Sequence, residues 1–239
     1  MSSKYGKILY KISGEVLSGN KDFGYDIDVM KSIAKDIANV YSMGVKVCLV
    51  IGGGNICRGA KAELYGIDRI VGDNMGMIAT VMNALAMQNI IEKYLGIETR
   101  VMSAIEIKKL CEFFIVRKAE RHLEKGRVVI FTAGTGNPFF TTDTAATLRA
   151  VEMNCDIIVK GTSVDGVYSE DPKKNPNAKK YDKITFDEVV QKDLKFMDRS
   201  AIMMAKDHEI PIVVMSIRDE KSPLTKLVNG ESISTLVTK

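Results

Sequence analysis

The sequence is poor in the residue types that build metal centres, disulfide frameworks and hydrolytic triads. Its four cysteines are far apart and form no C-x-x-C pair, so neither a zinc site nor a disulfide framework is predicted. They are Cys48, Cys57, Cys111 and Cys155. The two histidines, His122 and His208, lie in predicted helical or pre-strand segments, where a structural role is expected. Without a Ser/His/Asp or Cys/His grouping, hydrolysis by a triad is not expected.

Long apolar runs and charge blocks are also missing. No uninterrupted apolar run approaches the roughly 18 residues of a membrane helix, and the first residues lead into a strand without the apolar region of a signal peptide. The net charge is +4, and basic residues are interspersed with acidic ones, as in residues 118–125. We therefore expect a cytoplasmic protein with reduced thiols, and neither a membrane nor a nucleic acid as a partner.

Apolar strand patterns alternate with helical patterns along the chain, and no linker divides them. Strands are predicted at 7–12, 45–51, 99–102, 127–132, 156–160, 211–215 and 232–236. Helices are predicted at 28–41, 74–94, 105–124, 144–150, 186–192 and 197–206. Such alternation is typical of a parallel sheet with helices on both faces. The predicted fold is α/β, with residues 1–239 forming a single domain, a three-layer α/β/α sandwich around a largely parallel sheet.

Aspartates stand near the starts of two predicted helices, and the second of these helices is unusually apolar. Asp28 is predicted to cap the first helix, and Asp73 stands just before the helix at 74–94, where capping or ligand contact is open to it. The helix at 74–94 is rich in Met, Leu and Ala, so we expect it to pack in the core or at a subunit interface.

Glycine-rich loops follow several predicted strands. Residues 133–143 lead from a buried strand into a helix, where backbone N–H groups and threonine hydroxyls suit an oxyanion; an ordinary capped turn is the alternative. Gly52-Gly-Gly-Asn55 follows another strand with Arg58 close behind, and its glycines favour contact between backbone amides and a ligand. Neither loop matches the P-loop or the dinucleotide-binding pattern, so neither standard nucleotide fold is supported.

Two lysines, Lys11 and Lys160, stand at the ends of predicted strands. Strand ends deliver side chains to the crevice at the carboxyl edge of a parallel sheet, where ligands bind. A solvated edge lysine is the alternative for Lys11. With Arg58 and the loop amides, the lysines could neutralise a transferring phosphoryl group. An acceptor that is itself a phosphate would need no catalytic base, because it is already an anion at neutral pH. Phosphoryl transfer therefore fits these residues.

Five separated segments carry a family likeness. They are Lys11-Ile-Ser-Gly-Glu15, Gly52-Gly-Gly-Asn55 with Arg58-Gly59, Val71-Gly-Asp-Asn-Met-Gly-Met77, Gly134-Thr-Gly-Asn-Pro-Phe-Phe-Thr-Thr-Asp143 and Val164-Asp-Gly-Val-Tyr168. Together they resemble the bacterial UMP kinases of the amino acid kinase superfamily, essentially over the whole chain and in order. The resemblance implies the amino acid kinase fold, and transfer of the γ-phosphoryl group of ATP to UMP, with Mg2+, in pyrimidine nucleotide synthesis.

The resemblance also implies roles for the residues at matching positions. The catalytic set would be Lys11, Lys160, Asp143 and Arg58. Asp143 would orient the lysines or the metal shell, and Asp198 is a weaker candidate for that role. The ATP contacts would be Lys11, Ile12, Ser13, Gly14, Gly54, Arg58, Thr162, Tyr168 and Asp171. The UMP contacts would be Gly53, Asp73, Thr135, Gly136, Asn137, Pro138, Phe139, Phe140, Thr141 and Thr142. The resemblance names no protein ligand to a metal.

The resemblance further implies a homohexamer in which the helix at 74–94 pairs subunits, and GTP and UTP as possible effectors. Ser163 stands where many relatives have a lysine, which puts contacts on the adenine side in doubt. Two alternatives stay open: a related kinase with a carboxylate or carbamate acceptor, and a catalytically silent nucleotide sensor. The block at 135–142 argues against the first, and Lys11, Lys160 and Asp143 argue against the second.

Overall fold

The structure is a computed structural model that describes residues 4–57, 64, 66–172, 174–218, 221–231 and 234–239. Its strands are β1 (Lys7–Ile12), β2 (Lys46–Ile51), β3 (Thr99–Ser103), β4 (Glu112–Phe113), β5 (Val128–Thr132), β6 (Ile157–Thr162), β7 (Val167–Tyr168), β8 (Lys180–Tyr181), β9 (Lys183–Thr185), β10 (Ile212–Ser216) and β11 (Thr235–Thr238). Its helices are α1 (Gly14–Leu17), α2 (Ile27–Ser42), α3 (Arg69–Leu95), α4 (Val116–Glu124), α5 (Thr142–Glu152), α6 (Phe186–Gln191), α7 (Arg199–Asp207) and α8 (Pro223–Val228).

Nine strands form one sheet in the order β4-β3-β5-β2-β1-β6-β10-β11-β9. Among the described residues, neighbouring strands of this sheet run parallel except at β10 and β11, which are antiparallel. β7 and β8 form a separate antiparallel pair. The predicted α/β class and its largely parallel sheet are confirmed.

Helices cover both faces of the sheet because the central strands are apolar on both sides. Ile8 and Tyr10 of β1 belong to one buried cluster, which also contains side chains of α2, α3 and α8. Leu9 belongs to a second cluster, which contains side chains of α4, α5 and α7. Since successive side chains of a strand point to opposite faces, Lys11 shares the face of Leu9, on the side of α5.

Two helix starts differ from the prediction. The cap of α2 is Asp26, whose side chain accepts hydrogen bonds from the backbone N–H groups of Asp28 and Val29. The prediction that Asp28 is the cap is wrong, because the aspartate one residue before the helix meets these groups. α3 begins at Arg69, so Asp73 lies inside the helix and not in front of it. A capping role for Asp73 is therefore excluded.

The segment 105–124 also differs, because only Val116–Glu124 is helical. The preceding residues Glu112 and Phe113 pair in parallel with the end of β3 and form the edge of the sheet. A two-residue edge strand is too short to show a period, so the pattern could not separate it from the helix that follows. The last strand, predicted at 232–236, runs from Thr235 to Thr238, and residues 232 and 233 lie outside the described part.

α3 is the one described helix that is long and apolar enough to cross a bilayer when judged by length and composition alone. The sequence contains no uninterrupted apolar run of this length, but the mean hydropathy of α3 is high enough for a membrane-spanning helix. A core helix passes the same test. Ala84, Met87 and Ile91 pack into the buried cluster with β1 and β2, which is how a core helix behaves.

Candidate active site

The site begins with two lysines on neighbouring strands. Lys11 of β1 and Lys160 of β6 are partners in the parallel register, so they lie side by side on the same face of the sheet. Both side chains are buried. Lys160 lies two residues before the end of β6, because this strand runs on to Thr162. Two buried cations on adjacent strands need a counter-charge, since burial alone disfavours the charged form.

Asp143 supplies that counter-charge from the first turn of α5. Its Oδ1 atom lies 2.8 Å from Lys11 Nζ, and its Oδ2 atom accepts a hydrogen bond of 2.6 Å from Lys160 Nζ. Oδ1 has no hydrogen bond of good geometry among the described residues, so we treat its contact with Lys11 as an ion pair. Lys160 Nζ also donates to the backbone carbonyl of Phe196 at 2.5 Å. One carboxylate thus holds both lysines together.

The protonation states follow from these contacts. Burial would raise the pKa of Asp143, but Lys11 and Lys160 outweigh it and lower the pKa from 3.8 to about 2. Burial lowers the pKa of Lys160 to about 8, although the Asp143 carboxylate acts in the opposite direction. At neutral pH the carboxylate is ionised, and Lys160 is protonated but close to its titration range. Anionic phosphates placed beside it would favour its charged form.

Two glycine loops meet next to the lysines. A Cβ atom on Gly14 would lie 2.4 Å from the Gly52 carbonyl oxygen and 2.6 Å from the Gly54 nitrogen, so only glycine allows this approach. Gly52 N donates to Ile12 O at 2.9 Å, which joins the two loops. Between them lies a cavity of about 240 Å³. Its lining includes Lys11, Ser13, Gly14, Gly52, Gly53, Gly54, Thr142 and Thr162.

Among the other predicted ATP contacts, Ile12 is a core residue. The Ile12 side chain is buried in the core cluster with α2 and α3, so its backbone is the part that reaches the loops. Arg58 lies outside the described residues, so its predicted place in both the catalytic and the ATP-binding sets stays a prediction.

The predicted acceptor loop, residues 133–141, leads from β5 to α5 in an unusual backbone conformation. Ala133 and Phe139 have φ values of 59° and 71°, in the left-handed region that non-glycine residues rarely adopt. Side chains of α3 hold both points. Ala133 N donates to Thr80 Oγ1 at 2.8 Å, and Phe139 N donates to Asp73 Oδ2 at 2.8 Å. The strained loop is therefore positioned from α3.

Asp73 has further contacts that its place in the sequence did not indicate. Arg69, one turn earlier, donates from Nε to both of its carboxylate oxygens at 3.0 Å. Arg69 also lies over the ring of Phe139, with its guanidinium carbon 5.9 Å from the ring centroid. Asp73 thus lies beside the 135–142 segment, and its predicted contact with UMP stays a prediction. It acts there as an acceptor for the loop backbone.

The remaining loop residues face solvent or support the helix that follows. Phe139 and Phe140 are exposed, although both are aromatic. Thr135 and Asn137 hydrogen-bond within the loop, through Asn137 N and Thr135 Oγ1 at 3.3 Å. Thr141 caps α5 by accepting from the backbone N–H groups of Asp143 and Thr144. The exposed Phe139 and Phe140 leave room for a ligand to lie against the loop.

Asp198 has a role different from the one considered for it. It caps α7 by accepting from Ala201 N, and it also accepts from the hydroxyls of Thr141 at 2.5 Å and Thr144 at 2.8 Å. Its hydrogen bonds among the described residues go to neither lysine, but its charge helps to keep Lys160 protonated. Asp198 therefore ties the start of α5, which carries Asp143, to the start of α7.

A larger cavity of about 710 Å³ opens beside Lys160. The predicted contacts Thr162, Tyr168 and Asp171 line it. The Tyr168 hydroxyl donates to Asp165 Oδ1 at 2.7 Å, and this bond raises the pKa of Tyr168 to about 12. The segment 193–196 completes the wall, and it was not predicted. In the sequence, the feature that could have indicated this segment is its position in the loop between the predicted helices at 186–192 and 197–206.

Comparisons with known proteins identify the family of the chain. The model of the amino acid kinase family matches residues 6–216. The chain is a phosphotransferase of the α/β class, as its uridylate kinase relatives show, and a lysine pair bridged by one aspartate beside two glycine loops is consistent with that class. The chain belongs to the amino acid kinase family, which confirms the resemblance drawn from its motifs.

Within that family the chain is similar to uridylate kinases. It is 54% identical over 234 residues to the uridylate kinase of Wolbachia pipientis wMel, covering 98% of this chain and 94% of the relative. It is 57% identical over 216 residues to that of Rickettsia prowazekii strain Madrid E, covering 90% and 89%. The crystal structure of UMP kinase from Bacillus anthracis superposes with a TM-score of 0.94 at 37% identity, covering 98% and 96%.

Proposed function

We propose that this protein transfers the γ-phosphoryl group of ATP to UMP, giving ADP and UDP, in pyrimidine nucleotide synthesis. The observation that carries the proposal is the Lys11–Asp143–Lys160 cluster, which lies between the glycine-loop cavity and the larger cavity beside β6. The similarity to uridylate kinases over nearly the whole chain supports UMP as the acceptor.

ATP would occupy the larger cavity, with its nucleoside near Thr162, Tyr168 and Asp171. Its phosphates would extend toward Lys11 and Lys160, and toward Ser13, Gly14 and Gly54, which line the smaller cavity with Lys11. We also propose that Arg58 contacts the transferred phosphoryl group. Two buried lysines match this position, because charge on the transferring phosphoryl group needs neutralising where water is excluded.

UMP would place its phosphate at the glycine run and its uridine against residues 135–142. Gly53 packs closely on α3, since a Cβ atom there would lie 2.9 Å from Gly76 O. Asp73 lies beside Phe139 of this loop. Its carboxylate accepts from Phe139 N and Arg69 Nε, and a carboxylate can accept more hydrogen bonds than these two donors supply. One of its oxygens would accept from a ribose hydroxyl.

Transfer would proceed without a protein base. An oxygen of the UMP phosphate forms a bond to the γ-phosphorus while the bond from that phosphorus to the β–γ bridging oxygen breaks, and ADP leaves. The acceptor phosphate is an anion at neutral pH, so no proton needs to be removed. Lys11 and Lys160 stabilise the charge on the oxygens, and Asp143 keeps the two lysines in place.

Mg2+ would be carried chiefly by the nucleotide. The described residues contain no group of three or more His, Cys, Asp or Glu side chains that could hold a metal ion. Magnesium commonly keeps several waters and binds through one or two carboxylates plus substrate phosphates, so this donor set fits it. Asp143 pairs with both lysines that we place at the phosphates, so we propose its carboxylate for the metal shell. When bound, the ion would neutralise phosphate charge and align the donor.

Assembly would use the exposed side of α3. Val71, Met75, Ile78 and Met82 form an apolar stripe on this helix, and each is between 43% and 48% exposed. Such a stripe is costly to leave in water, so we propose that it pairs with the same helix of a second subunit in a homohexamer. We also propose that the protein is cytoplasmic. GTP and UTP are proposed as effectors of its activity.

The test is ADP release measured with a coupled assay across UMP, CMP, aspartate and carbamate. UMP should give the highest kcat/KM. Preference for a carboxylate or carbamate would assign the chain to another acceptor class, and no turnover with any acceptor would indicate a nucleotide sensor. Turnover followed with and without GTP or UTP tests the effectors.

A further inference from the structure

A buried amide pair connects α3 to the glycine run, and the chemistry described so far makes no use of it. Asn55 follows Gly52–Gly54 directly, and Asn83 lies in the middle of α3. Their side chains are 1% and 0% exposed. Asn83 Nδ2 donates to Asn55 Oδ1 at 2.7 Å, and Asn55 Nδ2 donates to Asn83 Oδ1 at 3.2 Å. The two amides therefore form a closed pair.

The second proton of each amide goes to a loop. Asn83 Nδ2 donates to Gly52 O at 2.6 Å, and Asn55 Nδ2 donates to Gly24 O at 2.9 Å. Gly24 N in turn donates a hydrogen bond of 2.9 Å to the backbone carbonyl oxygen of Asn55. All four side-chain donors of the pair are thus used. A buried network that is fully satisfied favours one arrangement over others, because any other leaves a buried group without a partner.

Gly52 is held from two sides as a result. Its carbonyl accepts from Asn83, and its N–H donates to Ile12 O, directly after Lys11. The same carbonyl oxygen is the atom that a Cβ atom on Gly14 would meet first, at 2.4 Å. The distance between the glycine run and the end of β1 therefore depends on where α3 places the Asn83 amide.

The same face of α3 also holds the acceptor loop. Asp73, Thr80 and Asn83 are separated by two turns and by one turn, so they lie along one side of the helix. Asp73 and Thr80 accept from Phe139 N and Ala133 N, while Asn83 donates to Gly52 O. Both loops of the proposed acceptor site thus take their position from one helix face.

We propose that Asn83 is a positioning residue for phosphoryl transfer. Acting through Gly52, it sets the glycine run against the strand end that carries Lys11, and Asn55 orients the Asn83 amide. This inference rests on the proposed function. Phosphoryl transfer depends mainly on alignment, and a misplacement of about 1 Å can cost on the order of a hundredfold in rate. The bound nucleotides themselves need not weaken.

The experiment compares Asn83→Leu with a matched control, Gln88→Leu. Gln88 lies on α3, and its side-chain amide also donates to a backbone carbonyl, that of Thr99 at 2.9 Å. It contacts neither loop in the described hydrogen bonds. We expect kcat for UMP and ATP to fall about tenfold or more in Asn83→Leu, with both KM values within about threefold of wild type. Gln88→Leu should keep the wild-type kcat.

Hydrogen exchange gives a readout that does not depend on the substrate. In Asn83→Leu, the backbone amides of Gly24, Ile56 and Cys57 should exchange faster, because they bond to Asn55 O or to Gly53 O in the segment that Asn83 holds. In Gln88→Leu they should not change. If the wild-type protein does not phosphorylate UMP, the proposed function falls, and the exchange rates still decide whether Asn83 positions the loop.

The double variant Asn55→Leu/Asn83→Leu keeps the test open if Asn83→Leu fails to fold. Replacing both amides by apolar side chains leaves neither of them unpaired, so the double variant should be less destabilised than the sum of the single changes. Its kcat should stay low, because Gly52 O has lost its donor. A normal kcat in either Asn83 variant, an equal loss in Gln88→Leu, or unchanged loop exchange would overturn the inference.

Discussion

Neutralising Asp143 tests the central cluster most directly. In Asp143→Asn the side chain keeps its shape but loses the charge that pairs Lys11 with Lys160. The pKa of Asp143 falls from 3.8 to about 2 on folding, which corresponds to roughly 2 kcal/mol at 1.36 kcal/mol per pKa unit. Removing one member of a buried ion pair typically costs about 3–5 kcal/mol. We expect a loss of about 2–4 kcal/mol near pH 7.

The loss should depend on pH because Lys160 can release its proton. Asp143 raises the pKa of Lys160, so without it that pKa falls below its value of about 8. The folded variant then sheds the proton at lower pH than the wild type. Since stability rises with pH wherever the unfolded state binds more protons, the variant regains stability at lower pH than the wild type does, so the difference between them narrows toward pH 8.

Urea unfolding of both proteins at about pH 6 and pH 8 measures the difference. The matched control is Asp187→Asn, which removes an exposed carboxylate paired with Lys206 and should cost less than about 1 kcal/mol. A loss in Asp143→Asn no larger than in the control, or a difference that widens toward pH 8, would refute the ion-pair account.

Four further predictions concern turnover and assembly. Lys11→Ala should lower kcat by about a hundredfold or more with the fold intact, and near-normal turnover would exclude its role. The wild-type kcat/KM for ATP should fall above about pH 8 as free Lys160 loses its proton, and Lys160→Arg should move this limb upward; a profile unaffected by the substitution would contradict it. Deoxy-UMP should be a poorer acceptor than UMP by about 1–3 kcal/mol in kcat/KM, and Asp73→Ala should shrink this preference; an unchanged ratio would limit Asp73 to holding Phe139 N. Ile78→Lys should dissociate the assembly in light scattering, whereas a wild-type protein that is already monomeric would exclude pairing through α3.

The sequence alone was enough to determine the class of fold. Strands buried on both faces are continuous apolar runs, so the bounds of β1, β2 and β5 were predicted to within one residue. Capping hydroxyls are local features, and the threonines of residues 133–143 correctly marked the start of α5, whereas the approach of Gly14 to Gly52 was not predicted. The edge strand β4 was not predicted, because a strand of two residues is too short to show a hydrophobic period.

Only the tertiary structure decided which residues are partners. Lys11 and Lys160 are 149 positions apart, and their adjacency follows from the register of β1 and β6. Asp73 meets Phe139 across 66 positions, and Asn55 meets Asn83 across 28. A hydrophobic period reports that one face of a helix or strand is buried, but it does not identify the backbone that a polar side chain meets there. Those contacts are set by the packing of α3 and α5 on the sheet.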